Sequence, residues 1–177
     1  MLIAFGGLPG SGKTTLASKL AHRLSAVYLR IDTIEQALIR SGALSDVGPA
    51  GYLAGYALAA DNLMLGRTVV ADSINPLILT RDAWCSVAKN TEVPCIEIEV
   101  ICSDAAEHRR RVESRAADIP GHRLPTWQEV LDGHYEPWQR AHIVIDTGKM
   151  AVSQALDDIV GHLPKRQRKG EAFVPLQ

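Results

Sequence analysis

The most constraining feature of this chain is an eight-residue motif close to its N-terminus. Residues Gly7 to Thr14 read Gly-Leu-Pro-Gly-Ser-Gly-Lys-Thr and match the spacing G-x-x-x-x-G-K-[ST] of a phosphate-binding loop. An apolar strand from Leu2 to Phe5 precedes the motif, and apolar residues at helical spacing follow it over 13–24. In such a strand–loop–helix unit, backbone N–H groups and the positive end of the helix dipole face a bound phosphate chain. The motif therefore predicts a nucleoside triphosphate site.

The motif also predicts individual contacts and two cofactors, ATP and Mg²⁺. Lys13 neutralises charge on the β- and γ-phosphates, and the Thr14 hydroxyl completes the coordination shell of Mg²⁺. No Asn-Lys-x-Asp element for reading guanine follows a strand, so ATP is favoured over GTP. The predicted nucleotide-binding residues are Gly10, Ser11, Gly12, Lys13, Thr14 and Thr15.

Length and charge limit the classes of protein to consider. The chain has 177 residues and a net charge of −1, which suits one α/β domain without a basic field for nucleic acid or anionic membrane. A nucleic-acid substrate stays open but gains no support from charge. No apolar run reaches the ~18 residues of a membrane helix. The three cysteines lack metal-ligand spacing, so we expect a cytoplasmic protein with reduced cysteines.

Apolar runs alternate with helical patterns along the chain, which predicts a parallel sheet with helices on both faces. Candidate strands are 2–6, 26–31, 68–71, 95–101 and 142–145, and candidate helices lie near 13–24, 33–41, 50–65, 76–89, 104–116, 127–139 and 151–160. We expect one domain over 1–163, with a Pro- and Gly-containing lid over 104–126. We expect 164–177 to be a basic, flexible tail.

Acidic residues follow three of the predicted strands, where ligands of parallel sheets gather. Asp72 follows an apolar run and is predicted to hold Mg²⁺, with a structural or capping role as the alternative. Asp32 is predicted to orient a hydroxyl acceptor and take its proton, and the alternative is an N-cap of the next helix. Glu35 could share that pocket or complete a capping box. Asp146 could also cap a helix.

The predicted helix over 104–116 carries four arginines within two turns. Arg111 and Arg115 are four residues apart, share one face and are predicted to converge on the phosphates, where arginine donors neutralise the charge of a transferring group. We expect Arg109 and Arg110 to pair with glutamates of the same helix. The alternative is a basic, solvated helix whose ion pairs are all internal.

Taken together, these motifs resemble those of the small P-loop kinases grouped near polynucleotide 5′-hydroxyl kinase, zeta toxin and gluconate kinase. The resemblance rests on the phosphate-binding loop, Asp32, Asp72-Ser73-Ile74-Asn75 followed by Arg81, and Arg111-x-x-x-Arg115. It implies a P-loop NTPase three-layer sandwich, with a five-stranded parallel sheet in order 2-3-1-4-5 and a helical arginine lid. It also implies that Asp32 matches the acceptor-activating aspartate and that Arg111 and Arg115 match the lid arginines.

Two further residues are candidate substrate contacts. Asp72-x-x-Asn75 also resembles the Asp-x-x-Asn element of a seryl-tRNA kinase, and Asn75 could either donate to a substrate or lock its loop. Arg81 could be a substrate clamp or a surface charge. Gly51 and Gly55 lie on a small-residue face of the helix near 50–65, which indicates close helix packing or, alternatively, a substrate wall.

The residues and the resemblance lead to one main functional expectation and one alternative. We expect an ATP-dependent phosphotransferase that moves the γ-phosphoryl group of Mg-ATP to a hydroxyl of a small molecule or nucleotide. The alternative is a switch or assembly factor that hydrolyses ATP to act on a protein or tRNA partner. Asp32 together with an arginine lid favours the kinase, because a switch needs a water-positioning group instead. Neither the acceptor nor the oligomeric state is indicated.

Overall fold

A single parallel sheet organises the molecule. The computed structural model describes residues 1–42 and 46–164, so the predicted tail lies, apart from Pro164, outside the described residues. The strands are β1 (Leu2–Gly6), β2 (Val27–Arg30), β3 (Val69–Asp72), β4 (Cys95–Ile101) and β5 (Ile143–Asp146). All neighbouring strands pair in parallel, in the order β2-β3-β1-β4-β5. The predicted strand order is therefore confirmed.

Helices cover both faces of the sheet and bury it. They are α1 (Lys13–Leu24), α2 (Ile31–Arg40), α3 (Ala50–Met64), α4 (Ile78–Asn90), α5 (Ala105–Ser114), α6 (Trp127–Asp132) and α7 (Val152–His162). Alternate residues of β1 enter opposite halves of the core: Ile3 packs in a cluster with residues of α1 and α7, and Leu2 in a cluster with Trp84 and residues of α3. Within the described part of the chain, no helix is both long and apolar enough to cross a membrane.

The junction between β2 and α2 corrects one sequence prediction. The strand expected over 26–31 ends at Arg30, and Ile31 already belongs to α2. Asp32 is therefore inside the first helical turn, and Arg30 is the N-cap residue, so the N-cap alternative for Asp32 is wrong. Asp146 ends β5 and accepts hydrogen bonds from the N–H groups of Ser103 and Gly148. It is not the cap of α7, which begins at Val152.

The helix predicted over 127–139 is also too long, because α6 ends at Asp132. Gly133 adopts an extended backbone there, and residues 133–141 contain no regular helix or strand. This segment crosses the N-terminus of α4, where the Glu136 carboxylate accepts the N–H of Ile78. A free N–H at a helix start takes a partner from elsewhere in the fold when no local cap is present. The contact therefore ties this segment to α4.

Candidate active site

The phosphate-binding loop and the lid enclose one cavity of about 290 Å³ at the carboxyl ends of the strands. The cavity is lined by Gly10, Gly12, Lys13, Thr14, Thr15, Arg111, Arg115, Ala116 and Asp118. Five of the six predicted nucleotide-binding residues thus share a cavity with both predicted lid arginines. The sixth, Ser11, is buried beside them. The geometry fits a triphosphate because Lys13, at the start of α1, faces the same space as two guanidinium groups.

Helix α5 packs directly on the phosphate-binding loop, which the sequence did not indicate. The Nε2–H of His108 donates to the carbonyl oxygen of Pro9 at 2.8 Å. Gly10 has φ +81°, and a Cβ there would lie 2.5 Å from the Cγ2 atom of Val112. Only glycine combines this backbone conformation with such a close approach. The loop and the arginine helix are therefore one packed unit, and His108 is a residue whose role no local motif revealed.

The two lid arginines are held very differently. Arg111 donates to Glu107 at 2.8 Å, to the Thr147 hydroxyl at 2.8 Å and to the Thr147 carbonyl at 3.2 Å. That hydroxyl donates in turn to the carbonyl of Ser11 in the phosphate-binding loop at 2.7 Å. Arg115, at the end of α5, has a looser contact of 3.8 Å with Asp118. Arg115 is therefore less constrained by its neighbours than Arg111.

The expected pairings of Arg109 and Arg110 within α5 are confirmed. Arg109 pairs with Glu113 at 2.8 Å, and Arg110 with Glu107 at 2.7 Å. Both arginines are largely exposed, and neither lines the phosphate cavity. Arg109 and Arg110 thus form ion pairs on the exposed surface of α5, whereas Arg111 and Arg115 face the phosphate-binding loop.

An ion-pair chain joins the lid to the junction between β2 and α2. Asp118 in the lid accepts two hydrogen bonds from the buried Arg30 guanidinium, at 2.5 and 3.0 Å. The hydrogen bond from Arg30 holds the pKa of Asp118 at about 2, so this carboxylate stays charged at neutral pH. Arg30 also lies 3.7 Å from Asp32. Asp118 carries no recognisable motif, and the chain Arg115–Asp118–Arg30–Asp32 exists only in three dimensions.

A second cavity of about 400 Å³ adjoins the phosphate cavity. The two cavities share Lys13 and Arg115. The second is lined by Pro9, Lys13, Asp32, Glu35, Ile74, Arg115, His122, Arg123, Pro125 and Glu129. Asp32 faces it from the first turn of α2, with 21% of its side chain exposed. We name this the acceptor cavity, since it places a carboxylate next to the groups that face the phosphates.

Glu35 lines the acceptor cavity and does not complete a capping box, because the N-cap of α2 is Arg30 with no side-chain cap bond. Its side chain lies against α3, where a Cβ on Gly51 would come within 2.2 Å of the Glu35 Cγ atom. Burial, and then the charge of Asp32, raises the pKa of Glu35 to about 7. The small-residue face of α3 thus makes room for an acidic side chain of the cavity.

Asp72 is the last residue of β3 and is not among the residues that line the two cavities. Its side chain is buried, and Oδ2 accepts the Tyr28 hydroxyl at 2.7 Å. Burial, together with the charge and hydrogen bond of Asp72, raises the pKa of Tyr28. The other oxygen, Oδ1, is buried and has no hydrogen-bond partner among the residues that the structure describes. A carboxylate oxygen in this condition is suited to a cation or a water that the protein itself does not supply.

Asn75 locks the loop that follows β3. Its backbone has a positive φ of 49°, which asparagine tolerates better than most residues. The side-chain amide donates to the Phe5 carbonyl of β1 at 2.8 Å, and the backbone N–H donates to the Tyr52 hydroxyl at 3.2 Å. Of the two sequence alternatives, locking the loop has direct support. Substrate contact by Asn75 stays a prediction.

Arg81 is buried, so the interpretation as a surface charge is wrong. Its Nε–H and three of its Nη–H groups donate to backbone carbonyls of residues 75, 76, 136 and 137. The guanidinium also stacks on Trp138 at 4.3 Å and on Tyr135 at 5.0 Å. It lines neither of the two cavities described above. A guanidinium with these partners fastens α4 to the segment 133–141. Arg81 lines a separate cavity beside Trp138, and its role as a substrate clamp stays a prediction.

The fold and the loop define a class of protein. A parallel five-stranded sheet in order 2-3-1-4-5, with a phosphate-binding loop between β1 and α1, is the P-loop NTPase α/β fold. The family model AAA_33, described as an AAA domain, matches residues 2–134. The chain belongs to this family, whose model covers most of it.

Solved structures with the same fold cover nearly the whole chain. A candidate kinase from Chloroflexus aurantiacus shares 23% identity, with 92% of this chain and 98% of that chain covered and a TM-score of 0.73. Chaetomium thermophilum Kti12 in complex with ADP-AlF3 shares 24%, covers 91% and 98%, and has a TM-score of 0.65. A gluconokinase from Sinorhizobium meliloti shares 17%, covers 90% and 89%, and has a TM-score of 0.62. No curated protein matches the chain.

Proposed function

We propose that this protein is an ATP-dependent phosphotransferase that moves the γ-phosphoryl group of ATP to a hydroxyl of a small molecule. One observation carries the proposal: the phosphate cavity and the acceptor cavity meet at Lys13 and Arg115. A kinase needs such a junction because its two substrates must approach each other in line. Asp32 supplies the carboxylate that the acceptor side of the junction requires.

Each residue has a defined task in this reaction. The backbone N–H groups of the phosphate-binding loop and Lys13 hold the β- and γ-phosphates. Asp32 accepts a hydrogen bond from the acceptor hydroxyl, whose oxygen attacks the γ-phosphorus while the bond to the ADP oxygen breaks. The hydroxyl proton moves to the Asp32 carboxylate. Arg115 follows the transferring group and neutralises its charge, while Arg111 stays bonded to Thr147 and keeps the lid aligned.

Thr14 and Asp72 are the residues that would hold Mg²⁺. Thr14 lines the phosphate cavity, and Asp72 has one buried carboxylate oxygen without a partner among the described residues, so oxygen donors of the kind that Mg²⁺ prefers are present. When bound, the ion would neutralise charge on the phosphate oxygens. The Tyr28 hydroxyl orients the Asp72 carboxylate for this task through its hydrogen bond to Oδ2.

The acceptor cavity supports a small molecule as the acceptor. Its volume of about 400 Å³ lies within the range typical of small-molecule sites. The net charge of −1 supplies no basic surface for a nucleic-acid strand. The structural likeness to a gluconokinase is consistent with this proposal, but at 17% identity it concerns the fold alone.

A second candidate function, a nucleotide-driven switch, has one observation in its favour. The ion-pair chain from Arg115 through Asp118 to Arg30 connects the phosphate cavity with the start of α2. Through such a connection, the nucleotide in the phosphate cavity could change the conformation of α2 and so the affinity of a partner that contacts this helix. The similarity to Kti12, like the similarity to the gluconokinase, shows a shared fold and does not decide between the two functions. The two functions differ in whether the γ-phosphoryl group ends on an acceptor or in water.

The deciding experiment follows the γ-phosphate of labelled Mg-ATP with and without a fractionated pool of hydroxyl-bearing metabolites. A kinase transfers label to a component of one fraction. With that fraction, Asp32→Asn should lower transfer by roughly 10²-fold and leave ATP affinity unchanged, since general-base help is lost and the loop is intact. Asp61→Asn, at an exposed position of α3, is the matched control and should behave like wild type.

Three results would contradict the proposal. Release of free phosphate only, with no fraction that retains label, favours the switch. Equal transfer by wild type and Asp32→Asn would remove Asp32 from the chemistry. A parallel loss of ATP binding and transfer in Asp32→Asn would show that Asp32 is structural.

A further inference from the structure

Two of the three cysteines touch each other near the amino ends of the strands, whereas the phosphate-binding loop lies at the carboxyl ends. Cys85 lies in α4 and Cys95 is the first residue of β4, and their sulfur atoms are 3.2 Å apart. Both residues are partly exposed, and their contact is partly buried. Cys102 is buried and lies just beyond the other end of β4. The three cysteines thus divide into a contacting pair and one isolated thiol.

The position of the pair separates it from the candidate active site. Cys95 stands beside Leu2 at the start of β1, whereas the phosphate-binding loop follows the end of β1. Neither cysteine lines the phosphate cavity or the acceptor cavity. The proposed phosphoryl transfer therefore makes no use of these thiols.

The surroundings make the two thiols chemically unequal. The two sulfur atoms share one hydrogen bond, in which either thiol can be the donor. This contact, aided by the charge of Arg140, lowers the pKa of Cys85. The same hydrogen bond, and then burial, raises the pKa of Cys95. Arg140 is held in place between the carboxylates of Glu97 and Asp82. Cys85 is therefore the thiol that ionises first and attacks.

We propose that Cys85 and Cys95 form a redox-active dithiol, which low-molecular-weight disulfides such as oxidised glutathione convert to an intrachain disulfide. The Cys85 thiolate attacks one sulfur of oxidised glutathione, forms a mixed disulfide and displaces the first glutathione thiolate. Cys95 gives its proton to that thiolate, attacks the Cys85 sulfur and displaces the second glutathione as a thiolate, which takes up from water the proton that Cys85 released on ionising. The two protein thiols are oxidised, and one oxidised glutathione is reduced to two thiols.

Little rearrangement separates the two states. The sulfurs are 3.2 Å apart, and a disulfide bond requires about 2.05 Å. The cysteines are ten positions apart in sequence, so the bond would close a short loop between α4 and β4. A cross-link of this kind stabilises a protein mainly by restricting its unfolded chain. We expect higher stability and unchanged phosphoryl transfer, because the link is remote from both cavities.

Thiol counting on the purified full-length chain tests the proposal. Reduced protein is equilibrated with increasing ratios of oxidised to reduced glutathione, then alkylated and weighed by mass spectrometry. We expect the free thiols to fall from the three of the sequence to one, with no added glutathione mass and a peptide that links positions 85 and 95. The thermal midpoint of the oxidised form should be higher by about 5 °C.

Variants identify the thiols involved. Cys102→Ser should fall from two free thiols to none and keep the rise in thermal midpoint. Cys85→Ser should keep both remaining thiols or take up glutathione only, and its midpoint should not rise. Three free thiols in wild type at excess oxidised glutathione would overturn the proposal. So would stable mixed disulfides alone, or cross-links between two chains. None of these outcomes depends on phosphoryl transfer, so the proposal stands or falls separately from the proposed function.

Discussion

Glu35 offers the sharpest test of the acceptor cavity, because its charge there works against stability. The carboxyl lies between α2 and Gly51 of α3, beside Asp32. Burial, and then the charge of Asp32, raises its pKa from 4.5 to about 7 on folding. Glu35→Gln keeps the size and shape of the side chain and removes the ionisation. A gain in stability from this change would show that the charged carboxyl is unfavourable in the acceptor cavity, which is a common property of functional sites.

The sign and size of the effect follow from proton linkage. Between about pH 4.5 and 7, folded protein keeps the Glu35 proton that the unfolded chain has released, so stability falls as pH rises through this window. Above about pH 7, where Glu35 is ionised in the folded protein as well, the full loss of stability remains. At about 1.4 kcal/mol per pH unit its upper limit is about 3 kcal/mol. Water still reaches part of this carboxyl, and solvent screening reduces the expected cost to about 1 kcal/mol at pH 8.

The assay is urea-induced unfolding of wild type and Glu35→Gln at pH 5 and pH 8. We expect the variant to be more stable by about 1 kcal/mol at pH 8 and by less than half of that at pH 5. Glu92→Gln, at an exposed position, is the matched control and should equal wild type at both pH values. An equal gain at both pH values, or no gain at pH 8, would refute the reasoning.

Three further predictions test the loop, the α2–α3 contact and the lid. Lys13→Ala should weaken binding of a fluorescent ATP analogue by at least about tenfold, and unchanged binding would remove this lysine from the phosphate site. Replacing glycine by alanine within a helix usually raises the free energy of unfolding by about 1 kcal/mol. Gly51→Ala should not show this increase, because the new Cβ would clash with the Glu35 side chain. Gly161→Ala in α7, where a new Cβ would have no described atom outside its own helix within 4 Å, should show that increase in urea unfolding. Equal increases for the two variants would contradict the predicted clash. Asp118→Asn should speed tryptic cleavage within the lid about fivefold, since an ion pair to β2 is lost, and an unchanged rate would show that this pair does not hold the lid.

Features that depend on neighbours in sequence were predictable. The phosphate-binding loop and the bounds of α1 were predicted correctly, because a glycine-rich turn and a 3.6-residue apolar period are local properties. The five strands were found within one or two residues, since short apolar runs bounded by breakers suffice to mark them. The strand order came from resemblance to a family, because no local pattern encodes which strands become neighbours.

Features that depend on distant partners were not predictable. The sequence around Arg81 is typical of an exposed helix residue. Arg81 is nevertheless buried, because the distant residues 136 and 137 pack over it and accept its hydrogen bonds through their backbone carbonyls. Asp118 has no motif, and its link to Arg30 joins positions 88 apart. The over-long helix predicted after Trp127 has the same cause, since the segment beyond Asp132 gains its contacts from α4 rather than from its own turns.

The sequence by itself determined that this chain has a phosphate-binding loop, and it supplied the arginines and carboxylates of a candidate active site. Spacing along one helix put Arg111 and Arg115 on the same face, but only the tertiary structure decided that Arg111 is bonded to Thr147 while Arg115 adjoins both cavities. The structure likewise set Glu35 beside Asp32 in the acceptor cavity. The physical reason is range: backbone preferences act over a few residues, whereas burial, charge and pKa depend on groups that only folding brings together.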